Sequence, residues 1–200
     1  GSEGQPERGT PTTEVPETVA GKPRGPEGEV APPPEDRGVC PVTGLPGEDA
    51  FRRQMRELLR GKRPGGAVLF LGADRLQEIN AAFGRVGGDE ALYGVAFVLR
   101  NFRREHPGAR GAALFRYAGP EFTVIVPGAT QEAAHDMAER IRQKVAESTL
   151  FLTQLTVSVG IVYLPEVDHE AGNAVETIEQ IGQLRLEIAR ASGSNTVCDT

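Results

Sequence analysis

Two hundred residues, 38% hydrophobic and 25% charged, allow one globular domain with a tail. A net charge of −6 argues against a nucleic-acid-binding surface, because such surfaces need a positive field to meet phosphates. No run reaches the roughly 18 apolar residues of a membrane helix, and no signal peptide opens the chain, so a cytoplasmic chain without membrane contact is expected.

The Gly1-Ser2 start reads as a cloning scar on a piece of a longer protein. Residues 1–39 hold eight prolines and seven glycines but no aromatic residue and no Leu, Ile or Met. Such a stretch cannot bury enough apolar surface to offset the entropy of ordering, so a disordered linker is expected there. Pro32-Pro33-Pro34 favours a local polyproline conformation, and a ligand for a proline-recognition module is the alternative reading. The folded domain is placed at residues 40–200. Its cysteines, Cys40 and Cys198, have no CxxC or Cys/His spacing, which speaks against zinc. Inert thiols in a reducing compartment are expected, with a disulfide between them left open.

From Glu48 to Arg60, apolar Phe51, Met55, Leu58 and Leu59 recur at helical spacing. Ala67–Leu71 is a short apolar run that predicts a buried strand. Helical spacing returns over Arg75–Phe83, and a separate helix is expected from Asp89 to Arg104 after Gly84. Ala112–Tyr117 and Phe122–Val126 predict two strands joined by Ala118-Gly119-Pro120. A helix over Thr130–Glu147 would be capped by the Thr130 hydroxyl. Leu155–Leu164 reads as a strand of alternating character, Val175–Ala191 as a helix stopped at Gly193, and Asn195–Cys198 as a short last strand. Strands interleaved with helices around a hairpin point to an α+β fold with helices covering a mixed sheet.

Four segments resemble the bacterial GGDEF family of diguanylate cyclases, in order and over nearly all of residues 40–200. Val42-Thr43-Gly44-Leu45-Pro46 followed by Phe51 is similar to the family's "LTGLPNR…F". The stretch from Phe70 through Asp74, Asn80 and Phe83-Gly84 to Gly88-Asp89 resembles "DxDxFKxIND…FGHxxGD". Phe115–Phe122 looks like "RYGGDEF", and Leu155–Ile161 looks like "TVSIGIA", with Ala189-Arg190 and Gly193-Ser194-Asn195 matching "AK..GRN". Gly87-Gly88-Asp89-Glu90 spells most of the family signature but occupies the "GHxxGD" position. The resemblance implies a palm-like (ferredoxin-like) mixed sheet of about five strands covered by helices.

The resemblance also implies metal-dependent chemistry, with magnesium held by the first Asp of "DxD" and the third residue of the signature hairpin. Those positions are Gly72 and Pro120, which offer no side-chain oxygen, so no catalytic residue, metal or cofactor is expected. The degenerate signature runs through Ala118, Gly119, Pro120, Glu121 and Phe122. Pro120 removes an N–H and fixes φ, and Ala118 disfavours positive φ. Asp74 and Glu121 survive as the acids from which a makeshift metal pair could be built. Strand alternation predicts that Glu121 faces away from where a ligand at position 120 pointed. Two phosphate-facing cations of the family are replaced by Gln77 and Ser194, while Arg190 keeps its charge. Asn80 and Asp89 match the positions that read a guanine edge, and helix capping is the competing role for both. Asn80, Asp89 and Arg190 are therefore the candidate nucleotide-binding residues. The family's RxxD product site falls on Ala109 and Ala112, so cyclic di-GMP is not expected to bind by that route.

Arg52, Arg53, Arg56, Arg60, Lys62 and Arg63 form a basic cluster, read as a solvated face or as a surface for an acidic partner. His106, His135 and His169 share no spacing. The expected function is a catalytically inactive GGDEF domain serving a protein partner or a neighbouring domain of the parent protein. A GTP-binding sensor without turnover is the alternative, and an active cyclase through Asp74 and Glu121 is the third reading.

Overall fold

The computed structural model describes residues 38–61 and 64–200. The expected linker therefore falls almost wholly outside the described residues, as do Lys62 and Arg63.

Eight consecutive buried positions, Gly66–Ala73, form β1 and place it at the centre of the sheet. A strand is buried along its whole length only when both faces are covered. The other strands are β2 (Ala113–Arg116), β3 (Glu121–Pro127), β4 (Val157–Tyr163) and β5 (Val197–Cys198). The sheet order is β2-β3-β1-β4-β5, antiparallel except for the β4–β5 pair. Four helices cover it: α1 (Glu48–Leu59), α2 (Leu76–Glu105), α3 (Gln131–Ala146) and α4 (Ala174–Ala191). The expected α+β architecture with a mixed five-stranded sheet is what is found.

Residue alternation on β1 sorts the core into two halves. Leu69, Leu71 and Ala73 join α2 and α3 residues such as Leu99, Phe102, Met137 and Ile141. Val68 and Phe70 face the other way, toward Phe51 and Met55 of α1 and Ile178 and Leu186 of α4. The close approach of α4 needs two glycines. A Cβ on Gly160 would lie 2.5 Å from the Leu186 backbone nitrogen, and one on Gly182 would enter the Phe70 ring.

Two expectations change. The two helices expected on either side of Gly84 are present as the two runs of α2, broken where Gly84 takes φ 71° and ψ −178°, and the second starts directly after Gly84 rather than near Asp89. A glycine absorbs the bend without a linking loop, so the helical pattern resumes at once. And β4 is buried on both faces from Val157 to Val162 rather than alternating, because α3 and α4 both pack on it. The Thr130 cap is present, its Oγ1 accepting from the Ala133 N–H at 3.2 Å. No described helix is long and apolar enough to cross a membrane.

Candidate functional site

The candidate site lies at the C-terminal end of β1. In register, Gly72 faces Glu121 on β3 and Ser158 on β4. Directly opposed residues project on the same side of a sheet, so this row looks toward α4. Strand alternation alone suggests that Glu121 turns away from the site. Its pairing with Gly72 puts it on the site's own face instead.

From α4, Arg190 reaches into the same row. A Cβ placed on Gly72 would coincide with the Arg190 guanidinium, so the space that a side chain at position 72 would use is filled by a cation. Arg190 Nη1 lies 3.4 Å from Glu121 Oε1, and Gln183 Nε2 donates to Glu121 Oε2 at 2.8 Å. The hairpin tip presents no further acid. Glu121 N–H donates to the Ala118 carbonyl at 2.7 Å, which closes the turn, and Gly119 carries the positive φ of 46°. The turn thus asks nothing unusual of Ala118. Pro120 loses no ladder bond, because only its carbonyl is used, accepting from Ala73 N–H at 2.9 Å.

Asp74 is 4% exposed and fully engaged. Its Oδ1 accepts from Ser158 Oγ at 2.8 Å, and its Oδ2 accepts from Thr156 Oγ1 at 2.7 Å and from the Asn195 backbone N–H at 3.0 Å. This carboxylate ties β1 to β4 and to the loop after α4, where Gly193, Ser194 and Asn195 all have positive φ. With Asp74 committed to three donors and Glu121 facing a guanidinium, the residues present do not fit a divalent cation. Magnesium needs several unencumbered oxygens in near-octahedral array. Among the described residues, no group of three or more His, Cys, Asp or Glu is arranged to hold a metal.

Asn80 lies within the helical run before Gly84 and Asp89 within the run after it, neither at a first or last residue. Neither is a cap, so the capping role expected as their alternative is not the one they have. The Asn80 side chain occupies the place a Cβ on Gly88 would take, which brings it beside the turn carrying Asp89. Asp89 also lines a cleft of about 560 Å³ whose walls include Val42, Tyr93, Phe97, Leu150 and Phe151.

Residues 39–196 match the family described as diguanylate cyclase, GGDEF domain. The chain belongs to the GGDEF family. Diguanylate cyclase DgcP of Pseudomonas aeruginosa is 32% identical over 164 residues, covering 74% of this chain and 23% of that protein. Diguanylate cyclase DgcM of Escherichia coli is 30% identical over 132 residues, covering 66% of this chain and 30% of that protein. The chain thus spans less than a third of these relatives. Among solved structures, the GGDEF domain of DgcB from Caulobacter crescentus, in complex with c-di-GMP, superposes with a TM-score of 0.68 at 21% identity, covering 82% of this chain and 93% of that one. The GGDEF domain of FimX from Pseudomonas aeruginosa gives 0.69 at 21% identity, covering 80% and 98%.

Within this GGDEF domain, the structure joins Arg190 to the signature hairpin and Asn80 to the neighbourhood of Asp89. A residue that the sequence did not single out, Arg116, lies between the two groups. Burial depresses its pKa, while the charges of Cys40, Glu121 and Asp89 oppose that shift. Its guanidinium sits 5.1 Å from the centre of the Phe122 ring and donates to the Glu121 carbonyl at 2.9 Å. Glu179, also missed, is 7% exposed and accepts at the same Oε1 from Arg52 Nε (2.8 Å) and Tyr117 Oη (3.0 Å). Arg52 is therefore a structural cation rather than part of a solvated face. Cys40 and Cys198 are both free thiols, and His135 pairs through Nδ1 with Asp199 at 2.9 Å.

Proposed function

We propose that this is a GGDEF domain that does not turn GTP over and that acts as a regulatory or protein-interaction module in a bacterial cyclic di-GMP signalling protein. One observation carries the reading: a guanidinium fills the space at Gly72 from which the resemblance would have a metal-binding carboxylate project. A two-metal or one-metal phosphoryl transfer gains its rate from cations held by carboxylates around the reacting oxygens. Here neither Gly72 nor Pro120 supplies one. The signalling context comes from the relatives, which are named diguanylate cyclases and, for NbdA, a cyclic di-GMP phosphodiesterase. A role with a protein partner is in keeping with SiaD, a diguanylate cyclase solved with its activator SiaC. Incubation with GTP and Mg²⁺ or Mn²⁺, followed by chromatography of the nucleotides, should return GTP unchanged. Accumulating cyclic di-GMP would refute the reading.

A second reading, guanine-nucleotide binding without turnover, is favoured by Asn80 and Asp89. Both have side chains free of capping duty, and Asp89 stands at an apolar cleft large enough for a purine. Asp89 would accept from the N1–H and amino group of guanine, and Asn80 offers a donor and an acceptor. Calorimetry with guanosine and GTP tests it, and binding that survives Asn80→Ala and Asp89→Ala unchanged would show that the base is held elsewhere.

A further inference from the structure

We propose that the cleft between α2 and the loop 148–156 is a docking groove for an amphipathic helix of a partner protein, one with apolar anchors at helical spacing and a basic residue beside them. The inference rests on the protein-interaction reading above and names its surface and the chemistry of its partner.

Exposed apolar side chains are concentrated here. Nine large ones are exposed among the described residues, and five of them, Val86, Tyr93, Phe97, Leu150 and Leu152, line this cleft. A sixth, Phe83, lines a smaller cleft that continues from it past Ile79 and Thr153. Val86 and Leu152 are 70% and 65% exposed. Single apolar residues are common on protein surfaces, but a contiguous group of this kind marks a contact site. The groove is also preformed. Phe151 lies against Gly94, where a Cβ would come within 2.5 Å of its ring, so the loop is seated on α2 while the outer side chains stay open.

Shape and backbone chemistry select a helix. Val86, Glu90, Tyr93 and Phe97 follow one another at four- and three-residue steps and share one face of α2 over about 16 Å, roughly three turns. An extended segment laid along that face would find no free backbone partners, because α2 pairs its own N–H and C=O groups. A docking helix arrives with its backbone already paired and needs only apolar contact from the groove.

Charge selects the sign. The loop from Ser148 to Thr156 carries no charged residue, and the charged residues lining the cleft are Asp89 and Glu90. Neither forms an ion pair among the described residues. Asp89 has the charge of Arg116 as a neighbour, whereas Glu90 is exposed and open to a Lys or Arg of the partner. A second copy of this chain fits worse. Its exposed apolar pair on α4, Leu184 and Ile188, flanks Glu187, which would set like charge against Glu90. Because Asp89 stands in the same wall, a docked helix and a guanine held by Asp89 would exclude one another.

The test titrates the full 200-residue chain by fluorescence anisotropy with three labelled peptides of about four helical turns. The first sets leucines at i, i+3 and i+7 with lysines on both flanks. The second replaces each lysine by glutamate, and the third keeps the first composition with the leucines out of helical spacing. The first should bind at least about tenfold more tightly than either of the others. Val86→Asp and Leu152→Asp, both at exposed positions, should weaken it about tenfold or more, while Leu184→Asp on α4 should leave it unchanged. Glu90→Lys should weaken the lysine peptide and strengthen the glutamate one. Circular dichroism checks that each variant keeps its helix content. Equal binding of all three peptides, or binding that Val86→Asp and Leu152→Asp leave intact, overturns the groove. A dimer of the free protein in sedimentation velocity that Leu152→Asp dissolves gives the groove to a second copy and overturns the proposal. No binding of the first peptide also overturns it, while GTP returned unchanged in the chromatography above would leave the inactive-module reading standing. Cyclic di-GMP made by a protein that binds the first peptide would refute that reading and support the groove.

Discussion

Removing the Asp74 carboxylate separates a structural tie from a surviving metal ligand. In Asp74→Ala, the Ser158 hydroxyl, which is fully buried, and the Asn195 N–H both lose their acceptor. Each unsatisfied buried donor costs about 1–3 kcal/mol, and the missing side chain leaves a small void besides. The three hydrogen bonds do not simply add, because freeing the site of a buried carboxylate also recovers part of its desolvation cost. A net loss of about 3 kcal/mol follows, equivalent to roughly 6–12 °C in Tm for a domain of this size. Asp74→Asn keeps the shape and one acceptor oxygen. Its amide would still turn an N–H toward one group of donors, and a hydroxyl can rotate to accept it where a backbone N–H cannot. About 1–2 kcal/mol is expected for that variant.

Urea unfolding followed by circular dichroism measures both, with the m-value unchanged if the native fold persists. Manganese titration of the unsubstituted protein is run alongside. An Asp74→Ala protein as stable as the parent would refute the tie. So would Mn²⁺ binding that disappears with Asp74, since an engaged carboxylate has no free oxygen to give a metal.

Further outcomes follow from the same contacts. Tyr117→Phe should cost about 1–2 kcal/mol by urea unfolding, because it deletes the hydroxyl that donates to buried Glu179 while keeping the ring against Phe51. Burial and the Glu179 carboxylate raise the Tyr117 pKa above its ordinary value of 10.0. That contribution is complete below pH 10 and is lost as pH rises beyond it, so alkaline unfolding should be less steep in Tyr117→Phe. Gly160→Ala should cost about 3 kcal/mol, since its Cβ would press on α4 backbone atoms 2.5 and 2.6 Å away, and a variant as stable as the parent would show that α4 can retreat. Gly72→Asp with Pro120→Asp should yield no cyclic di-GMP on chromatography, because the new carboxylate at 72 meets Arg190 before it meets a metal.

The fold was legible because its cues are local. AVLFL at 67–71 could only be a buried strand, the Thr130 cap lies next to its helix, and the tip Ala118-Gly119-Pro120 reads as a turn in any context. The late start expected for the second helix has the same origin, since the pair Gly87-Gly88 weakens the helical pattern there while Gly84 alone leaves the helical conformation. At the site, the sequence could say what was missing at positions 72 and 120, because a motif records absences one residue at a time. It could not say what fills them. Arg190 sits on the last helix, far along the chain from Gly72, and only the packing of α4 on β1 and β4, through the cleared surfaces of Gly160 and Gly182, carries its guanidinium into the vacated row. The same packing sets Gln183 on Glu121 and Glu179 on Tyr117, so one helix reaches the residues on both sides of the hairpin tip. A carboxylate restored at position 72 would therefore meet the Arg190 guanidinium in the space it needs.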